Sequence, residues 1–190
     1  MPVNIVFFGD SVCFGQFISL HQCWVTLVAQ KLAEKYDVIV TNSSVNGSTT
    51  RQALERMSYD LSKLNMDIFV IQYGLNDCNY WETDKGLPRV SPQSFSTNLH
   101  EIIGRATAFG AKKVPWTDKI SYPRSNEQYN QIIRVVAQHS LHASLIDIEH
   151  HFAGQGSTYL LPDLMQLNTK GHQSYFKFIY PIIEKAVKEL

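Results

Sequence analysis

The chain has 190 residues, of which 44% are hydrophobic and 18% charged. That is too apolar for disorder and long enough for one domain, residues 1–190, to bury a core without disulfide staples. Lys+Arg and Asp+Glu both number 17, so the basic footprint of a nucleic-acid binder is missing.

Three cysteines, Cys13, Cys23 and Cys78, are too few and odd in number for a disulfide framework. They fit a reducing, cytoplasmic setting. Met1-Pro2-Val3-Asn4 carries no basic n-region, and no apolar run approaches the roughly 18 residues that span a membrane.

In chain order, Asn4–Gly9 is a buried strand. Leu20–Tyr36 places Trp24, Leu27, Val28 and Leu32 at helical spacing. Val38–Thr41 is a second strand, and Thr49–Leu64 is a helix with Ala53, Leu54, Met57 and Leu61 on one face. Asp67–Tyr73 is the strongest buried strand. Pro92–Gly110 and Ser125–His139 are helices, Leu145–Ile148 a short strand, and Thr169–Leu190 a closing helix that Pro181 is expected to kink or split. Strands alternating with helices imply a parallel α/β sheet covered on both faces.

One step of the alternation is weak. Ala111–Asp118 should supply a strand, yet Val114 is its one good strand residue and Pro115 cannot donate to a ladder. Either this strand is vestigial or residues are missing near Val114-Pro115.

Four polar segments fall at the ends of these elements. Gly9-Asp10-Ser11 ends the first strand, where a parallel sheet opens its ligand crevice. It reads either as an exposed serine or as an ordinary helix cap. Asn46-Gly47 after the second strand is a turn that could aim a backbone N–H into the crevice. Gly74-Leu75-Asn76-Asp77 after the third strand puts an amide and a carboxylate at the same edge. An amide N–H there can stabilise an oxyanion, or the segment is a polar turn. Asp163-Leu164-Met165-Gln166 precedes the last helix.

Together these blocks resemble the SGNH (GDSL-type) hydrolase family, and the resemblance covers essentially the whole chain. It implies a three-layer α/β/α sandwich with a flavodoxin-like parallel sheet, and an ester hydrolase acting on a small, acetyl-like acyl group. Ser11 would be the nucleophile, and the Ser11 and Gly47 N–H groups with the Asn76 side chain would form the oxyanion hole. In the family's fourth block an aspartate, here Asp163, orients a histidine base three residues on. This chain has Gln166 at that position. A primary amide does not titrate near neutral pH, so this form is expected to be impaired.

His172, His150 and His151 are the alternative bases, each also explained by packing or a solvated loop. Asp10, Asp77, Tyr80 and Trp81 are expected to border the substrate. Cys13, two residues beyond Ser11, reads as packing. No phosphate-cradling glycine motif occurs, and His150-His151 lacks a further spaced ligand, so neither cofactor nor metal is expected. A small-molecule ester is the expected partner. Two other readings stay open: a pseudoenzyme binding an acylated or carbohydrate ligand, and a flavodoxin-like binding or signalling module.

Overall fold

The structure, a computed structural model, describes residues 1–80, 85–117, 125–154 and 156–190. Its elements in chain order are β1 (Val3–Gly9), α1 (Ser11–Phe14), α2 (Trp24–Ala33), β2 (Val38–Asn42), α3 (Thr50–Leu61), β3 (Ile68–Gln72) and α4 (Leu75–Cys78). There follow α5 (Pro92–Ala108), β4 (Val114–Thr117), α6 (Ser125–His139), β5 (Ala143–Ile146), α7 (Ile148–His151), α8 (Gly156–Tyr159) and α9 (Thr169–Lys188).

The five strands are parallel in the order β2-β1-β3-β4-β5. Strand alternation sends Ile5, Phe7, Ile68 and Val70 into one core, with Trp24, Val28, Tyr175 and Ile179 of α2 and α9. It sends Val6, Phe8, Phe69 and Ile71 into a second core, with Met57, Leu99 and Ile133 of α3, α5 and α6. A central strand buried on both faces has no place for polar residues, which is why these runs are continuously apolar. Chain order reverses direction between β1 and β3, and the crevice of such a sheet opens there, at the carboxyl ends of the strands.

The weak fourth strand is real, which corrects the expectation of a vestigial strand. β4 pairs with β5 from Val114↔Ala143 to Thr117↔Ile146. Toward β3 it pairs only at Ile71↔Trp116, beside an isolated bridge Ile68↔Lys113. The Val114 N–H donates toward β5, to the His142 carbonyl at 3.0 Å. Alternation turns the next nitrogen toward β3, and that nitrogen is Pro115, which has no hydrogen to give.

Helix α9 runs through Pro181 without splitting. Pro181 and Lys177 both lie on the exposed face. The carbonyl that loses its partner, four residues before the proline, can therefore bond water. β5 begins two residues earlier than the expected Leu145–Ile148, and His150 and His151 lie in α7 rather than in a loop. Among the described residues no helix is long and apolar enough to cross a membrane.

Candidate active site

β1 delivers Gly9, Asp10 and Ser11 to the carboxyl edge. A Cβ on Gly9 would lie 2.7 Å from both Cys13 Cβ and the Gln72 carbonyl oxygen, so only glycine lets α1 fold back this closely. Asp10 Oδ1 accepts the Val12 N–H at 3.1 Å and caps the four-residue α1. The Asp10 N–H donates to the Gln72 carbonyl at 3.1 Å, tying the ends of β1 and β3 together. Ser11 is buried, at 3% exposure.

The segment after β2 extends the β1 pairing, with Ser43 N–H donating to Phe7 and Val45 N–H to Gly9. It then turns at Gly47, whose φ is 71°, closed by Ser48 N–H on the Val45 carbonyl at 3.2 Å. A Cβ on Gly47 would meet nothing within 4 Å, so the residue serves the turn rather than packing. Arg89 Nη1 donates to the Gly47 carbonyl at 3.0 Å and holds this exposed turn from outside. α3 then starts with a capping box between Thr49 and Gln52.

Gly74, at φ 130°, turns the chain from β3 into α4. Asp77 Oδ1 accepts the N–H and hydroxyl of Thr50, and Asn98 Nδ2 donates to the same Thr50 hydroxyl. β2 and β3 are not neighbours in the sheet, because β1 lies between them. The Asp77–Thr50 bond therefore spans the end of β1, where Ser11 stands. Asn76 and Gly47 flank that bridge, and Asn76 Nδ2 is buried with no partner among the described residues.

The last contributor is the loop before α9. A Leu160↔Leu167 bridge and the Leu161 N–H on the Gln166 carbonyl at 2.7 Å close it. Asn168 caps α9 through the Gly171 N–H and donates to the Thr158 and Leu160 carbonyls. Asp163 Oδ1 accepts the N–H groups of Met165 and Gln166 at 2.9 and 3.0 Å. This folded loop points Gln166 inward, where Nε2 donates to Ser11 Oγ at 2.8 Å.

The structure thus brings Ser11 and Gln166 into contact and sets Gly47 and Asn76 on the same edge. Asp10 and Asp77, expected to border the substrate, hold the surrounding backbone in place. Both are fully buried, because their carboxylates are needed as acceptors for backbone N–H groups at helix starts. Tyr80 is exposed, and Trp81 lies outside the described residues.

Two of the three candidate bases, His172 and His151, are engaged elsewhere. His172 is 1% exposed, and its Nδ1 accepts the Trp24 N–H at 3.2 Å, supplying the cap that the start of α2 otherwise lacks. Burial pulls its pKa down to about 4, so the ring is neutral at physiological pH. His151 stacks on Phe178 at 4.1 Å and meets Ser174 Oγ, and burial lowers its pKa as well. His150 is exposed on α7.

Cys13, Cys23 and Cys78 are buried and unpaired by disulfides. Among the described residues no group of three or more His, Cys, Asp or Glu side chains could hold a metal ion. Sequence reasoning missed Arg89, Thr50 and Asn98, which carry no motif of their own. Only the Thr49–Gln52 capping box announces that the preceding turn is anchored.

A model of the GDSL-like lipase/acylhydrolase family matches residues 7–174. Esterase TesA of Pseudomonas aeruginosa is 32% identical over 105 residues, 55% of this chain and 48% of that protein. The match therefore spans about half the length of that curated relative. A crystal structure of TesA superposes with a TM-score of 0.81 at 24% identity, covering 96% of this chain and 99% of that one. Axe2, an acetylxylan esterase from Geobacillus stearothermophilus, superposes with a TM-score of 0.81 at 18% identity, covering 93% and 92%. At these identities the superpositions establish the fold.

Proposed function

The chain belongs to the GDSL-like lipase/acylhydrolase family, and from that premise we propose that residues 1–190 form a single serine ester hydrolase domain, impaired at its general base. The substrate is a small-molecule ester with a small, acetyl-like acyl group. Ser11 Oγ attacks the acyl carbon. The Ser11 and Gly47 N–H groups and Asn76 Nδ2 receive the charge that develops on the carbonyl oxygen. Donors preorganised for that charge need no rearrangement as it forms. The alcohol leaves, and water then releases the acid from the acyl-serine. What supports this reading is the contact of Gln166 Nε2 with Ser11 Oγ, at the sheet edge to which Asn76 also belongs, its Nδ2 buried with no partner among the described residues.

Both half-reactions need a group that takes a proton and returns it. Gln166 presents an N–H to Ser11, so it orients the hydroxyl without removing its proton. Triad knockouts lose up to about 10⁶ in kcat while keeping roughly 10³–10⁴ over water. At about 1.36 kcal/mol per factor of ten, the missing base is worth on the order of 8 kcal/mol.

Gln166→His should therefore raise turnover of p-nitrophenyl acetate by at least about 10³-fold. Activity should rise with pH as the imidazole, with an ordinary pKa near 6.5, loses its proton. Ser11→Ala in that background should abolish the gain. Full activity already present in the unaltered chain would mean that another base, His172 or a loop histidine, serves Ser11. A second reading, a binder without turnover, is favoured by the direction of the same Gln166–Ser11 bond. It prevails if Gln166→His brings no gain.

A further inference from the structure

Ser11 and Gln166 come from separate parts of the chain, yet one buried side chain joins those parts. His172 is 1% exposed and stands near the start of α9. Its backbone N–H donates to the Asn168 carbonyl at 2.9 Å, which fixes it on the residue that ends the Gln166 loop and caps α9. Its ring reaches α2, where Nδ1 accepts the Trp24 N–H at 3.2 Å. Cys23, at the start of that helix, offers no side-chain cap. The ring therefore takes an N–H that the helix itself leaves open. Burial pulls the His172 pKa down to about 4, so the ring is neutral and free to accept.

Trp24 carries the connection on to Ser11. It is fully buried, stacked on Tyr175 of α9 with ring centroids 4.5 Å apart, and edge-on to Phe7 of β1 at 5.4 Å. Its indole N–H donates to the Val12 carbonyl at 2.9 Å. In a continuing helix that carbonyl would accept the Gln16 N–H, but Gln16 donates to the Ser11 carbonyl at 3.0 Å instead. α1 has four residues, too few to satisfy its own carbonyls. The Trp24 indole does for the Ser11 turn what a further turn of helix would otherwise do.

We infer that His172 is a positioning residue: by holding Trp24, it fixes the placement of Ser11 against residue 166. Its consequence for turnover rests on the hydrolase reading; its consequence for the Ser11–Gln166 contact does not. Without the Nδ1 acceptor, the Trp24 N–H is buried and unpaired, a costly state that Trp24 relieves by shifting. The indole then draws away from Val12, and Ser11, the next residue, moves against Gln166. Reaction rates fall steeply as reacting groups leave alignment. A residue that served packing alone would need only volume and apolar surface, and leucine would replace it better than asparagine.

The test compares His172→Asn with His172→Leu. Asparagine keeps an acceptor oxygen near the place of Nδ1, and leucine keeps bulk without an acceptor. In the full ¹⁵N-labelled chain, the Gln166 side-chain amide signals report the bond to Ser11 Oγ, and Ser11→Ala marks where they lie once that bond is gone. His172→Leu should move them most of that way, and His172→Asn should move them little. Trp24→Phe, which removes the indole N–H and keeps a ring, should move them as His172→Leu does, and it gives the reading if His172→Leu does not fold. In the Gln166→His background, at about pH 8 where both imidazoles are neutral, His172→Leu should lower kcat for p-nitrophenyl acetate about tenfold with KM nearly unchanged. His172→Asn should recover most of that loss.

Gln166 signals unmoved by both His172→Leu and Trp24→Phe would overturn the inference. So would His172→Asn moving them as far as His172→Leu, or a kinetic loss confined to KM. The hydrolase reading fails separately. Signals that move as expected, with no turnover gain in Gln166→His, leave His172 in its positioning role and remove the hydrolase. Turnover gained in Gln166→His but indifferent to His172→Leu, with the signals unmoved, leaves the hydrolase and removes the positioning role.

Discussion

Ser11 and Gln166 touch at 2.8 Å, but they stand on different kinds of structure. Ser11 follows β1, a strand paired over five residues on each side, whose Ile5–Phe8 run is at most 1% exposed. Moving it would disturb both cores. Gln166 stands on a loop ordered by short-range devices: one bridge, the Asp163 turn and the Asn168 cap. The placing of Ser11 is thus a product of the whole sheet, and that of Gln166 a product of some nine residues, 160–168. A change at position 166 should therefore cost less stability than a change near Ser11.

The sharpest way to break this contrast is Asp163. In the Gln166→His background, Asp163→Ala should cost roughly 10³–10⁴ in kcat, since an unoriented imidazole is a poor base. Urea denaturation should change far less, by about 1–3 kcal/mol for the lost acceptor. A small kinetic loss with a large stability loss would mean that the loop depends on the core after all.

His172 belongs to the Ser11 side, through Trp24, whose indole donates to the Val12 carbonyl at 2.9 Å. Its folded pKa lies below the unfolded value, so its contribution to stability is complete above about pH 6.5 and declines as the pH falls toward about 4. The difference, 6.5 − 4 at about 1.36 kcal/mol per unit, is on the order of 3 kcal/mol. His172→Gln should flatten the stability profile between those limits in urea melts. An unchanged slope would place the acid sensitivity elsewhere.

Two glycines compare the regions directly. Gly9→Ala clashes at 2.7 Å under α1, and Gly171→Ala at 2.3 Å with the Tyr159 carbonyl behind the base loop. Each should destabilise by about 1–3 kcal/mol. Only Gly9→Ala should also prevent p-nitrophenyl acetate turnover in a Gln166→His chain that remains folded. Equal turnover losses would erase the distinction. The smallest effect is expected of Arg89→Ala, which frees the Gly47 turn. It should lower kcat of Gln166→His by up to about tenfold with KM nearly unchanged, and Arg89→Lys should recover part of the loss. A loss confined to KM would make Arg89 a substrate contact instead.

Much of the site is legible in the order of residues because its blocks follow apolar strands directly. A strand ending in Gly-Asp-Ser, and another in Gly-x-Asn-Asp, place polar residues at a crevice once the sheet is parallel. What Asp10 and Asp77 do there is not legible. A carboxylate looks the same in sequence whether it meets a ligand or a backbone N–H, and the choice depends on the depth at which neighbouring loops bury it. Arg89 and Asn98 carry no signal, since their partners lie 42 and 48 residues away.

The sequence by itself determined the alternation of elements, the two-faced burial of β1 and β3, the helix caps and the presence of an amide at position 166. These follow from periodicity and from chemistry within a few residues. Tertiary structure alone decided the rest. It paired β4 despite Pro115, by setting β5 on the side where β4 still has N–H groups to offer. It carried α9 through Pro181 by leaving that face to water. It joined Gln166 to Ser11 across 155 residues of chain. Contacts at that separation arise when packed layers bring strand ends together, and no local preference of either residue encodes them.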